Sequence, residues 1–236
     1  MKQIVPHRRS AWGTKVEQLR QQLTQDKHTH LEFEDLGAGS ANQGPQPLRR
    51  SLADLARNAA RRQREGELLY RICQHYQPRR CLEFGTNLGI SALYQLGGLR
   101  ESRFITMEGA PSIASVARQH FQDFGQDQVE ILVGEFSALF EERLSLEALQ
   151  PDYVFVDGNH RYQATVDYFQ RLLPHMTEGG IMIFDDINWS AEMQRAWREI
   201  IAEPEVSLSF DGFMMGVCFV KMDHPKEHHR LSYWPF

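Results

Sequence analysis

The chain of 236 residues is short of several things, and each shortage removes a class of function. There are only three cysteines, Cys73, Cys81 and Cys218. An odd number in apolar surroundings argues against a disulfide framework and for reduced, buried thiols in a cytoplasmic setting. No apolar run approaches the roughly 20 residues that span a bilayer, and Met1 to Trp12 lacks the apolar core of a signal peptide, so no membrane association is expected. Positive charge is not in excess: 26 Lys and Arg stand against 31 Asp and Glu, a net charge of -5. No global basic field then favours nucleic acid or an anionic membrane, and Arg57, Arg61, Arg62 and Arg64 read as a solvated helix face. The glycine turn is not the G-x-G-x-x-G of a dinucleotide binder, which weakens a nicotinamide dehydrogenase reading. There is no G-x-S-x-G elbow and no cysteine beside a base, so nucleophilic catalysis finds no support.

What is present is ordinary in composition and ordered in pattern. Hydrophobic content of 42% and charge of 24% suit one globular domain with a sizeable core. Val16, Leu19 and Leu23 at helical spacing predict a weakly amphipathic helix over Lys15 to Thr29. Leu36 to Pro47 reads as a loop. Ser51 is the expected N-cap of the next helix, with Asp54 at the capping-box position. A further helix spans Arg64 to Tyr76, with Leu68, Leu69, Ile72 and Cys73 on one face. Residues 1–78 thus form a helical extension, either a packing and homodimer surface or a lid over a substrate. From Cys81 the pattern alternates: strands end at Glu83, Glu108, Val133, Asp157 and Asp185, each followed by a helix. Trp189, Met193 and Trp197 suggest a buried stripe on the last helix. Asp211-Gly212 between two apolar runs signals a hairpin. The expected fold is α/β: a doubly wound, mostly parallel seven-stranded sheet over 79–222, ending in an antiparallel hairpin, with a solvated tail at 223–236.

The stretch C-L-E-F-G-T-N-L-G, Cys81 to Gly89, is the centre of that pattern. A buried strand ends at Glu83, Gly85 can turn with positive φ, and Gly89 lets the following helix pack closely. A carboxylate in the turn would repel phosphate and suits a cationic or hydrogen-bond-donating ligand. These residues resemble the first motif of class I S-adenosylmethionine-dependent methyltransferases, and with the closing hairpin the resemblance extends from Cys81 to Val220. It implies a cofactor site of Glu83, Gly85, Thr86, Asn87, Gly89 and Ser91 around the methionyl part. Glu108 and Gly109 would lie at the ribose, with Glu135 at the adenine and Asp157 alongside. Glu108 lies 23 residues after Gly85 (108 − 85), close to the ~20 expected of a ribose-binding acid.

Asp157, Asp185 and Asp186 stand at the ends of the fourth and fifth strands, where three carboxylates would repel one another unless a cation lay between them. All-oxygen ligands suit Mg²⁺, Ca²⁺ or Mn²⁺ rather than zinc. The alternative is that they cap the following helices or bind cofactor. Their places are similar to the metal-binding positions of catechol O-methyltransferase-like enzymes and the related macrocin O-methyltransferase-like group. Asp186 departs from the Asn of catechol O-methyltransferase. His160 falls where that enzyme has a lysine base, and it could take a proton near neutral pH; Asn159 could not. The alternative is that His160 is a structural histidine that hydrogen-bonds the loop. His224, His228 and His229 read as part of the solvated tail. The resemblance therefore implies a methyltransferase, with Mg²⁺ the expected ion and a small-molecule hydroxyl the expected acceptor. Asp157 and His160 are the candidate catalytic residues. The rivals are a metal-independent enzyme acting on nitrogen or a macromolecule, and a non-catalytic cofactor-binding protein.

Overall fold

The structure is a computed structural model, and it describes residues 9–34, 47–59, 63–142, 146–212 and 214–231. The extension begins with α1 (Ala11–Gln25), whose N-cap Ser10 accepts from the Gly13 amide. Ser10 is itself held from the core, its backbone amide donating to Glu67 Oε1 at 2.9 Å. Trp12 Nε1 donates to the Leu93 carbonyl at 2.7 Å, so the helix is docked rather than free. Next come β1 (His30–Glu34) and β2 (Pro47–Ser51), paired antiparallel from His30↔Ser51 to Glu34↔Pro47. The extension is thus not wholly helical as expected. His-Leu-Glu-Phe-Glu has the two-residue period of a strand, with Leu31 and Phe33 on the half-buried face that packs on the core. The expected loop at Leu36 to Pro47 lies outside the described residues, apart from Pro47, which opens β2. The helices α2 (Leu52–Ala59) and α3 (Gln63–Tyr76) follow. Ser51 caps α2 as expected: its Oγ accepts from the Asp54 amide at 3.1 Å and donates to Asp54 Oδ2 at 2.7 Å.

The main body alternates as the sequence pattern requires. Strand β3 (Arg80–Phe84) leads to α4 (Ile90–Gly98), and β4 (Arg103–Glu108) to α5 (Pro111–Asp123). Strand β5 (Glu130–Val133) is followed by α6 (Phe136–Glu142) and α7 (Leu146–Leu149). Then come β6 (Tyr153–Val156), α8 (Tyr162–Leu172), β7 (Ile181–Phe184), α9 (Ala191–Ala202), β8 (Val206–Asp211), β9 (Gly216–Val220) and β10 (Glu227–Arg230). The sheet runs β10-β8-β9-β7-β6-β3-β4-β5. Only β9 runs against its neighbours β7 and β8. The central strands are apolar on both faces because helices cover both, the condition for a parallel sheet. Cys81, Phe155 and Ile183 face Leu93 and Phe121 on one side, while Leu82, Phe84, Val154 and Met182 face Phe169 and Trp197 on the other.

Two expectations about the C-terminal part are corrected. The sheet has eight strands, not seven, because part of the supposed solvated tail pairs with β8 in parallel as β10. All four β10 side chains are exposed, so its sequence carries no apolar period. Main-chain pairing holds it, with Ser209 Oγ 2.9 Å from His228 Nδ1 and Arg230 Nε 3.5 Å from Asp211. The hairpin forms where Asp-Gly stands, but Asp211 pairs with Gly216, so the connection is four residues rather than two. Among the described residues no helix is long and apolar enough to cross a membrane.

The cap on α2 gives a direct test. Ser51→Ala removes a buried side-chain acceptor from the first turn and should cost about 1 kcal/mol. Urea denaturation of the two proteins would show it as a lowered midpoint with an unchanged slope.

Candidate active site

The strand order reverses at β3, which lies between β4 and β6. In an open α/β sheet the crevice at such a point, beyond the carboxyl ends of the strands, is where ligands bind. The chain leaves β3 through Gly85 (φ +89°), Asn87 (φ +46°) and Gly89 (φ +81°). A Cβ on Gly85 would stand 2.1 Å from the Asp157 carbonyl oxygen, so both its conformation and its neighbour require glycine. Gly89 packs on Phe121, whose ring would be 2.9 Å from an added Cβ.

Every amide of the turn already has an acceptor. Gly85 and Thr86 donate to the Met107 carbonyl at 3.0 and 2.9 Å, and Gly89 to Thr86 at 2.8 Å. Asn87 donates to Glu108 Oε2 at 2.8 Å, and Leu88 to Asn87 Oδ1 at 2.7 Å. A phosphate cradle needs such amides pointing outward. Their internal use supplies the physical reason that this turn suits a cationic or donor ligand instead.

The acids of the first two strands hold the turn in place. Glu83 has no exposed surface. Its carboxylate accepts from Ser91 Oγ at 2.7 Å, Gln95 Nε2 at 2.7 Å and Thr106 Oγ1 at 2.8 Å. The Thr86 and Thr106 hydroxyls lie 2.7 Å apart, which links the turn to Glu83 through Thr106. Burial pushes the Glu83 carboxyl up to about 8, against the three donors, which favour the anion. The structure therefore places Glu83 and Ser91 behind the turn rather than on the crevice surface. Half-buried Glu108 bonds the Asn87 amide and, through Oε1 at 3.0 Å, the Ala110 amide. Glu135 is exposed and caps α6, accepting from Ala138 at 2.9 Å.

Across the crevice, the loop after β6 brings three of the expected residues together. His160 Nε2 lies 3.6 Å from Asp157 Oδ1 and 3.9 Å from Asp186 Oδ2. All three side chains are partly open, at 26% for His160, 15% for Asp157 and 16% for Asp186. Asp185 is 1% exposed. Among the described residues no group of three or more His, Cys, Asp or Glu side chains is arranged to hold a metal ion. The expected cage of Asp157, Asp185 and Asp186 is thus not formed: Asp185 is enclosed, and the other two carboxylates face His160. What the site does offer is two hard oxygen donors near one point, a set whose chemistry suits Mg²⁺.

Trp189 is corrected from core to surface. The helix α9 starts only at Ala191, with Ser190 as its cap, so Trp189 precedes it and is 73% exposed. Met193 and Trp197 are buried as expected, at 2% and 4%. The Trp189 amide donates to the Asp186 carbonyl at 2.9 Å, which ties its backbone to the loop that carries Asp186. The β8–β9 turn abuts the same loop, the Ile187 amide meeting the Met214 carbonyl at 3.2 Å. Sequence reading missed the aromatic floor of Phe84, Phe136 and Tyr168, with ring centroids 5.0 to 6.1 Å apart. Phe136 lies under Gly158, where an added Cβ would be 2.7 Å from its ring. Phe84 ends a strand while Phe136 and Tyr168 lie on two different helices, so no spacing in the sequence grouped them.

Comparison with known proteins agrees with this geometry. A family described as "Methyltransferase domain" matches residues 82–187. Among solved structures, the O-methyltransferase TomG from Streptomyces achromogenes in complex with SAM has a TM-score of 0.59 at 24% identity, over 68% of this chain and 81% of its own. An O-methyltransferase from Bacillus cereus in complex with SAH has a TM-score of 0.58 at 20% identity, over 91% of this chain and 92% of its own. At these identities the likeness is one of fold. A curated relative, the uncharacterized protein R132 of Acanthamoeba polyphaga mimivirus, is 33% identical over 55 residues, 22% of this chain. The chain matches only 25% of that relative's length.

The buried Glu83 makes a prediction about pH. Its folded pKa lies above that of an exposed glutamate, so the stability it allows is fully present below about pH 4 and is lost as pH rises toward 8. The stability of the native protein should therefore fall, by an amount on the order of a few kcal/mol at most, between pH 5 and pH 8. Urea midpoints at the two pH values should converge in Glu83→Gln; an undiminished fall in that variant would assign the pH dependence to other groups.

Proposed function

We propose that this chain is a class I S-adenosylmethionine-dependent methyltransferase that methylates a hydroxyl group of a small molecule; the match to a methyltransferase-domain family over residues 82–187 and the fold shared with solved O-methyltransferases support the reading. The observation that carries the reading is the convergence of His160 on Asp157 and Asp186, on a loop that touches the glycine turn through Gly85. The turn 85–89, Glu108 and Asp157 would hold the cofactor, whose cationic and hydroxyl-bearing character matches their carboxylates. When bound, it would supply the methyl group by in-line displacement, its sulfonium–methyl bond breaking as the acceptor C–O bond forms and S-adenosylhomocysteine leaving as the neutral thioether. Asp157 and Asp186 orient the His160 imidazole, and His160 takes the hydroxyl proton as the new C–O bond forms. Orientation and exclusion of water would supply most of the acceleration.

The exposed Trp189 beside Asp186 supports an aromatic wall for the acceptor. A divalent cation such as Mg²⁺ would be held by Asp157 and Asp186 and would acidify the acceptor hydroxyl. The three cysteines are free and buried, which supports a reducing, cytoplasmic setting.

Calorimetry of S-adenosylhomocysteine tests the reading first. Binding in the micromolar range is expected, and absence of binding with or without Mg²⁺ would overturn it. A Mg²⁺ titration should give heat that Asp186→Asn abolishes; no heat in the native protein would remove the cation. Once an acceptor is found, His160→Ala should lower kcat by about 10²-fold or more at neutral pH, with partial recovery at alkaline pH. An unchanged kcat would show that His160 is not the base.

A further inference from the structure

The amides of the glycine turn find their acceptors in β4 or in the turn itself. Two of its carbonyls are likewise bonded locally: Thr86 accepts from the Gly89 amide at 2.8 Å and Gly89 from the Leu93 amide at 2.9 Å. The Leu88 carbonyl differs, because its bond comes from a separate element. His120 Nδ1 on α5, 32 residues further along the chain, lies 2.8 Å from it. A carbonyl only accepts, so Nδ1 carries the proton. Leu88 is 2% exposed and His120 7%, which leaves little room for water to replace either partner. The Leu88–Gly89 peptide is therefore held at both ends, its N–H by Thr86 inside the turn and its C=O by His120 from outside. Gly89 is the N-cap of α4, at φ +81°, and provides no side-chain cap. Glycine populates both signs of φ, so nothing intrinsic to Gly89 keeps that peptide in place.

We propose that His120 is a positioning residue for the glycine turn: its bond to the Leu88 carbonyl keeps the Leu88–Gly89 peptide from flipping and so fixes the surface against which the cofactor would lie. The consequence for cofactor binding rests on the methyl-transfer reading, but the anchoring does not. Without the imidazole the Leu88 carbonyl is a buried acceptor left unpaired, and rotation of the peptide toward another donor is then favoured. A turn that keeps its binding-competent shape for only part of the time binds more weakly by that fraction. Burial holds His120 below the ordinary histidine value, so at neutral pH the uncharged ring makes the bond.

The test uses two variants of the full chain. His120→Leu keeps most of the bulk and removes the donor, while His120→Asn restores a donor where Nδ1 stands. By calorimetry, His120→Leu should raise the Kd of S-adenosylhomocysteine about tenfold or more. His120→Asn should return it to within about threefold of the native value. Both variants disturb the packing of α5, so a merely structural role would weaken binding alike in the two. Equal weakening, or none in His120→Leu, would overturn the proposal. Proton–nitrogen spectra of the ligand-free protein read the anchoring without any cofactor. The Leu88 and Gly89 amide signals should shift in His120→Leu and return in His120→Asn; unmoved signals in His120→Leu would overturn the proposal whatever the affinity. The native protein supplies a check that needs no variant to fold: above neutral pH the His120 ring proton should sit on Nδ1, and a proton on Nε2 would overturn the proposal. If the native protein bound no S-adenosylhomocysteine while the amide signals behaved as expected, the methyl-transfer reading would fail and the anchoring would stand.

Discussion

A carboxylate without any exposed surface stands in the middle of the sheet, and the candidate site is built on it. Burying Glu83 is costly unless its oxygens are bonded, and three side chains from two elements supply the bonds: Ser91 and Gln95 from α4, and Thr106 from β4. The same group therefore joins the strand before the glycine turn, the helix after it and the neighbouring strand. Thr86, inside the turn, is drawn into the chain of bonds through Thr106. The amides of the turn are then consumed by Met107, Glu108 and the turn itself. The crevice is thus lined by a scaffold whose polar groups are already committed, which leaves the groups at the rim to meet a ligand.

Much of this was legible in the sequence. The alternation of apolar runs gave the parallel body, the glycine turn gave the switch point, and acids at the strand ends marked the crevice edge. The roles of those acids were less legible. Glu83 and Asp185 look like rim carboxylates in the sequence, yet both are enclosed, because a strand's last residues can point either into a layer or out of it. Trp189 fits a helical stripe by spacing alone, and only the cap at Ser190 shows that the helix has not begun. Strand β10 could not be found from its side chains, which are all exposed; backbone pairing, which leaves no trace in composition, holds it. The first strands escaped notice because a five-residue period of two is easily hidden between helices.

Three neighbouring strands end in the same way. After β3, β6 and β7 the chain passes through Asn87, Asn159 and Asp186, each with positive φ. Asn and Asp are the side chains that tolerate this region best after glycine. Unlike glycine, they also bring a polar group to the edge of the sheet. Asn87 Oδ1 takes the Leu88 amide, and Asp186 faces His160. The turns that reverse the chain and the groups that line the crevice are thus the same residues. That economy explains why polar function is concentrated in so few positions of an otherwise apolar sheet.

The contact between Gly85 and the Asp157 carbonyl has a consequence for how the molecule folds. It lies at the end of the β3–β6 pairing, which begins with Cys81 opposite Tyr153, 72 residues apart (153 − 81). Parallel pairing over such a separation spends loop-closure entropy before any contact returns it. Each half of the crevice belongs to a separate local unit, β3–α4 on one side and β6–α8 on the other. A nascent or partly unfolded chain that keeps either unit alone has no crevice. Binding competence and completion of the sheet centre therefore arrive in a single event.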